Sequence, residues 1–279
     1  MNQKLPLNEK GTFFMQTEGP ISKMLLAYQD PIQVYAEAGA HILHLNAHLG
    51  KAIRLESLGL WSCKACQGIF TSLFRMGCCK RCFFESPLAG DSILRPELST
   101  AHLGQADRDL DYEARYQLQP HVVYLADSGG LKVGVTRHAQ RHTRWMDQGA
   151  SRVRIIAETT NRYEAGVIEV ALKNHYSDKT SWRHMLAGVQ SGENLAEEAL
   201  RASKFFPEDV AHFFVPNGEE VTLTYPSVGV PKVTSVKLEA DQVLEGVLAG
   251  IRGQYLLLSD GRVINIRAHE GAHVRWTLG

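Results

Sequence analysis

No run of this chain of 279 residues approaches the roughly 18 consecutive apolar residues of a membrane span. The opening MNQKLPLNEK lacks the apolar centre of a secretory signal. These two absences predict a cytoplasmic protein with no membrane partner. Net charge is also missing: 30 basic residues balance 30 acidic ones, which excludes a whole-molecule basic footprint of the histone kind and confines any nucleic-acid site to a local patch. Cysteine is scarce and odd in number, at five, so a disulfide framework is a poor reading and a reducing compartment with a metal site a better one. There is no internal repeat and no low-complexity tract. The 44% apolar content excludes disorder as an overall description and suffices for one large domain or two to three small ones.

Residues 11–59 hold short apolar runs at 24–28, 33–36 and 40–46, broken by Gly, Pro and Asn. They read as strands with turns at Asp30-Pro31 and Glu37-Ala38-Gly39. His41, His44 and His48 lie here, and the last two have an i, i+4 spacing. Strands do not bring i and i+4 together, so they read as surface and half-buried histidines. A cysteine segment at 61–85 is followed by a connector at 88–111 with Gly90, Pro96 and Gly104. Residues 121–186 read as two strands, a helix, a strand and another helix. Asn194 caps a packing helix through Ser203 that stops at Pro207. After Val215 come further strands, VTLTY, VTSVKLE, VLEGVLAGI, QYLLL and RVINI, with a hairpin signal at Ser259-Asp260-Gly261.

The cysteines fall as Cys63-Lys64-Ala65-Cys66 and Cys79-Lys80-Arg81-Cys82, a C-x2-C-x12-C-x2-C pattern in which each pair presents two thiolates from one knuckle to one tetrahedral ion. Four sulfurs close the shell, so Cys63, Cys66, Cys79 and Cys82 predict structural zinc, with a redox dithiol or iron-sulfur site as alternatives. Cys78 could exchange with Cys79. The intervening GIFTSLF is apolar and β-prone, which predicts the two hairpins of a zinc ribbon.

The most informative stretch is HVVYLADSGGLKVGVTR, residues 121–137, followed by a helix carrying Arg141, Arg144 and Trp145, a strand at 152–158, and a helix at 162–175 bearing Glu169 beside Ala165, Ile168 and Leu172. This segment resembles the GIY-YIG nuclease core, in which two short strands carry the two motifs, the next helix an arginine, and a later helix a metal-binding glutamate. By that resemblance Val123-Tyr124-Leu125 and Lys132-Val133-Gly134 stand at the two motifs. Arg144, or alternatively Arg141, is the helix arginine, and Glu169 the ligand of Mg²⁺ or Mn²⁺. Lys132 stands where the second motif has tyrosine, and Asn174 and Asp178 are the candidates for the late asparagine. The whole chain is also similar to a prokaryotic family catalogued as domain of unknown function 2797, through its cysteine segment and the KVGVTR, RW-x-DQGA and WR-x-ML runs. Members often carry further cysteines where this chain has Ser92 and Ser99, so a second metal site there is expected to be lost. Trp182 and Arg183 have no match in the nuclease core.

The resemblance implies phosphodiester cleavage of DNA or RNA: Glu169 would hold the divalent ion, Arg144 neutralise phosphate, and Tyr124 with Lys132 handle proton transfer. Between residues 132 and 162, Lys132, Arg137, Arg141, Arg144, Arg152, Arg154 and Arg162 face only Asp147 and Glu158 in the sequence, which suits a phosphate backbone. Trp145 could stack on a base. Each residue also has an ordinary reading, as core tyrosine or tryptophan, solvated carboxylate or charged helix face. The competing functions are a non-catalytic nucleic-acid or RNA-binding module and a protein-interaction scaffold. The expected architecture is α+β: a β-rich segment at 1–60 able to pack with the C-terminal strands, a zinc ribbon and connector at 61–100, a GIY-YIG-like α/β core at 101–190, and at 191–279 a helix with a β-rich small barrel or sandwich.

Overall fold

The computed structural model describes residues 15–176, 181–227 and 232–279. Among the described residues the chain is mixed α+β with three sheets, and no helix there is long and apolar enough to cross a membrane. The chain divides into two compact units, residues 1–80 with 225–279, and residues 81–224.

In the first unit, strand Ala52–Ser62 is flanked by Ala272–Leu278 and Val243–Arg252. Met15–Pro20 extends the sheet on one side, and Tyr255–Leu258, Arg262–Asn265 and Thr234–Val236 on the other. Ala272–Leu278 buries every second residue, and its register sets Val274 opposite Ser57, Trp276 opposite Leu55 and Leu278 opposite Ile53. The inward residues of both strands therefore share one face, as the two-residue period requires. The strands predicted as a small barrel or sandwich form this open sheet instead. Its edges are Met15–Pro20 and the three-residue Thr234–Val236, which takes its partner in parallel. A separate antiparallel sheet holds Leu25–Ala27, Gln33–Ala38 and His41–His44. Strand Gln33–Ala38 runs through the expected turn, which falls on Gly39, at φ +60 and packed against the Glu18 carbonyl where no side chain fits.

The second unit centres on an antiparallel sheet ordered Glu220–Thr222, Arg152–Thr159, His121–Asp127, Leu131–Arg137. Every residue of His121–Asp127 is buried. Val123, Leu125 and Val133 pack with Ala165, Ile168 and Leu172 of helix Arg162–Leu172, and with Ala199 and Ala202 of helix Leu195–Ser203. Asn161 caps the first of these helices, accepting from the Glu164 N–H, and Asn194 caps the second. Helix Arg141–Asp147 follows the hairpin, led in by the turn His138–Gln140. Part of the VTLTY run departs from its expected place: Glu220–Thr222 adds to this sheet, with Val221 opposite Val153. The connector is a chain of single turns, of which Pro96–Leu98 lies against Gly166; a side chain at Gly166 would collide with the backbone of Glu97.

Candidate functional site

The cysteine segment begins where Ala52–Ser62 ends. Strand Ile69–Phe70 folds back on it, with Phe70 opposite Trp61 and Ile69 opposite Ser62, so the first predicted hairpin forms. Its knuckle is closed by Gln67 N–H donating to the Cys63 carbonyl at 2.8 Å and Cys63 N–H to the Gly68 carbonyl at 2.9 Å. The second pair is built differently. Cys79 leads into helix Lys80–Glu85, so Cys82 arrives one helical turn on rather than from a second hairpin. The Sγ atoms of Cys63, Cys66, Cys79 and Cys82 all lie within 4.8 Å of one another. A tetrahedron with metal–sulfur bonds of about 2.3 Å has edges of about 3.8 Å, so the set fits a metal ion such as zinc.

Burial alone would raise the Cys63 thiol, but hydrogen bonds from the backbone at Cys66, Cys79 and Ala65 outweigh it and bring its pKa down to about 6. That favours the thiolate a metal needs. Cys78 is buried yet outside the four-sulfur group, and burial pushes its thiol up. Among the described residues His41, His44 and His48 join no metal-ligating group. His44 Nε2 pairs with Gln33 Oε1 at 2.8 Å and His48 Nδ1 with the Gly279 carbonyl at 3.1 Å.

In the central unit Tyr124 points away from the Val123 and Leu125 face and is fully buried. It sits directly opposite Gly134 on strand Leu131–Arg137, the edge of the sheet. A Cβ on Gly134 would lie 2.6 Å from the Tyr124 hydroxyl and 2.7 Å from its Cζ, so the phenol extends across the glycine. The Gln148 amide lies 3.1 Å from that hydroxyl. With its oxygen turned toward the guanidinium, it accepts from Arg144 Nε at 3.0 Å and Nη2 at 3.2 Å while its nitrogen donates to the tyrosine oxygen.

Burial raises the Tyr124 pKa; the Arg144 charge and the hydrogen bonds from Arg144 and Gln148 oppose this, and the Glu169 charge adds to it. Burial, assisted by the Arg144 charge, lowers Lys132 to about 8. Burial raises the Glu169 carboxyl against the attraction of Lys173 and Arg162, and Glu97 raises it further. Lys173 Nζ stands 3.5 Å from Glu169 Oε2. The Tyr124 hydroxyl thus feels the charges of Arg144 and Glu169, and Lys132 feels that of Arg144.

The basic patch is less open than its sequence suggests. Arg141 pairs with Glu219 at 2.7 Å, Arg152 with the buried Asp127 at 3.1 Å, and Arg154 with Glu220 at 2.8 Å. The acids come from the end of the first hairpin strand and from residues 219–220, which return beside the Arg152–Thr159 strand. Arg162 is buried, donating to the carbonyls of Ser92 and Ile93. Among the described residues Arg137 and Arg144 form no ion pair; Arg137 donates to Gln140 and lies over the Tyr116 ring at 4.5 Å. Trp145 is fully buried, edge-on to Tyr124 and His142, so it presents no face for a base and the stacking expected of it is withdrawn.

Ser92 and Ser99 are both buried, and the Ser92 hydroxyl accepts from Gln117. Asn174 is exposed, and Asp178 lies outside the described residues. Trp182 and Arg183 stack at 4.2 Å on helix Trp182–Leu186, and Gly129 of the hairpin turn meets the backbone of Met185 where no side chain fits.

Two residues near these candidates escaped the sequence reading. Gln148 stands in the DQGA run, where its spacing of four from Arg144 puts both on one helix face; that signal was available. Glu97 belongs to the connector, and nothing local ties it to Glu169. The family model described as "Protein of unknown function (DUF2797)" matches residues 50–274. No curated protein and no solved structure matches the chain.

Proposed function

The chain belongs to this family, DUF2797, which brings no activity with it, and we propose that its central unit cleaves phosphodiester bonds of DNA or RNA through a GIY-YIG-like core. The observation carrying this reading is the Tyr124–Gln148–Arg144 bridge beside Gly134, with Glu169 and Lys132 in electrostatic reach.

Glu169, mostly buried and paired with Lys173 at 3.5 Å, would hold Mg²⁺ or Mn²⁺ in exchange for that pairing, with water and phosphate oxygens left to complete an octahedral shell. A divalent ion bound there would supply Lewis-acid stabilisation of the phosphate. Arg144, held by a neutral amide rather than a carboxylate, keeps its charge for a phosphate oxygen. Tyr124 stays protonated because burial raises it; donation to a leaving oxygen would require substrate binding to uncover its buried hydroxyl. Lys132, at about 8, exchanges protons near neutral pH. Zinc in the four-cysteine set would serve structure, since its shell is closed. Five cysteines without a disulfide pattern agree with a cytoplasmic setting.

The second reading is a zinc-containing module that binds nucleic acid, RNA in particular, without cutting it. Lys132 in place of the second-motif tyrosine supports it. The deciding assay offers labelled single-stranded, duplex and branched DNA and RNA with Mg²⁺ or Mn²⁺ to the wild type and to Glu169→Ala. Metal-dependent cutting lost in the variant is expected. No cutting of any substrate by a folded, zinc-loaded protein would transfer the assignment to the binding module.

A further inference from the structure

The cysteine segment carries a surface that its metal does not explain. Between Glu56 and Glu85 the sequence contains no Asp or Glu, while Lys64, Arg75 and Lys80 fall among the cysteines. Ile69, Phe70 and Phe74 are 59%, 38% and 45% exposed, an unusual position for large apolar side chains in so short a stretch. Their placement is built. Phe70 folds over the first knuckle, where a Cβ on Gly68 would lie 3.1 Å from its ring and 3.4 Å from Cys66 Sγ. The Lys64 stem runs over the second knuckle, 3.4 Å from a Cβ placed on Gly77, and its N–H donates to the Gly77 carbonyl at 2.9 Å. The Phe74 N–H donates to the Cys78 carbonyl at 2.8 Å, and the Arg75 guanidinium stands 5.6 Å from the Phe74 ring centre.

We propose that this face binds single-stranded nucleic acid, with bases stacking on Phe70 and Phe74 and the phosphates met by Lys64, Arg75 and Lys80. Rings without hydrogen-bonding groups accept any unpaired base; Lys64 shares a cavity with Glu37 and Glu270, so the phosphate contacts rest chiefly on Arg75 and Lys80. A duplex hides its base faces and gains only the phosphate contacts. A protein partner would also bury the rings, but its binding would lack the linear salt slope of a phosphate chain. The inference does not depend on cleavage by the central unit.

The test uses the full-length zinc-loaded protein carrying Glu169→Ala, without added Mg²⁺, so that cutting plays no part. Anisotropy of a fluorescein-labelled oligothymidylate of about 20 nucleotides is measured for this protein and for the further variant Phe70→Ala/Phe74→Ala. Affinity is expected to fall about tenfold or more with an unchanged salt slope, because stacking is lost and phosphate contacts remain. Lys64→Ala/Lys80→Ala should instead reduce the slope by about 1.4. Phe70→Trp should retain binding, and its fluorescence should be quenched by the oligonucleotide. Metal content is measured for every variant, so that a collapsed knuckle is recognised. Absence of binding by the starting protein, or equal affinity for the double alanine variant at full zinc content, overturns the proposal. So does self-association of the starting protein that the double variant abolishes, which would assign the rings to a protein contact.

Discussion

The phenol of Tyr124 lies across Gly134 on the neighbouring strand, so closely that a Cβ on the glycine would sit 2.6 Å from the hydroxyl oxygen. Gly134 belongs to the edge strand, and only a residue without a side chain lets the tyrosine cross it. Val123 and Leu125, on either side of Tyr124 in sequence, point into the apolar layer under helix Arg162–Leu172. One strand thus places packing residues on one face and the hydroxyl that meets Gln148 on the other.

Gly134→Ala should therefore displace the ring. Overpacking of this kind costs about 1–3 kcal/mol, which urea unfolding would measure. Any cleavage that depends on Tyr124 should fall by more than that stability loss explains, since the variant remains folded at low denaturant. Unchanged stability would show that the ring has room to move.

Metal retention separates the cysteines. Cys66→Ser should release the ion and destabilise the protein by more than about 4 kcal/mol, as loss of a structural metal does. Cys78→Ala should keep one equivalent per chain, because Cys78 lies outside the four-sulfur group. Elemental analysis of both purified variants checks this. Metal loss from Cys78→Ala would make it a ligand.

The legible parts of the sequence were those governed by local rules. The knuckle spacing of Cys63, Cys66, Cys79 and Cys82, the apolar strand around Tyr124, and the Asn194 cap all act within a few residues. What the sequence hid was long-range. Glu219 and Glu220 neutralise Arg141 and Arg154 from more than sixty positions away, so a local count of charge overstated the basic patch. Glu97 reaches the neighbourhood of Glu169 only because Gly166 lets the Pro96–Leu98 turn settle on the helix. The GIFTSLF run between the two cysteine pairs looked β-prone and predicted a second hairpin, yet helix Lys80–Glu85 starts directly after Cys79.

The arginines should divide into two classes. Arg152→Ala strips the fully buried Asp127 of its charge partner, leaving Ser191 N–H and hydroxyl as donors to the same oxygen. An uncompensated buried charge costs about 3–5 kcal/mol, so stability should drop sharply. Arg137→Ala breaks no ion pair and should cost under about 1 kcal/mol, while lowering the salt slope of nucleic-acid binding by about 1. Thermal unfolding and salt-dependent anisotropy on the same two variants test the division, and equal losses of stability would refute it.

Lys132 gives a pH signature of opposite sign to a salt-bridged lysine. Its pKa falls from 10.5 to about 8 because burial, helped by Arg144, disfavours the charged form. Below pH 8 both folded and unfolded chains hold the proton, and the folded chain bears the full cost of burying it. Between about 8 and 10.5 the unfolded chain binds the proton while the folded chain has shed it, so stability from this group rises with pH and then levels. Lys132→Met removes this pH dependence, so from pH 7 to pH 10 the stability of the wild type should gain about 1–3 kcal/mol relative to the variant. Urea unfolding of both proteins at the two pH values measures it. If Lys132 also takes part in proton transfer, the same variant should lose the inflection near pH 8 from the rate of cleavage, whereas a lysine that only packs would leave that profile unchanged.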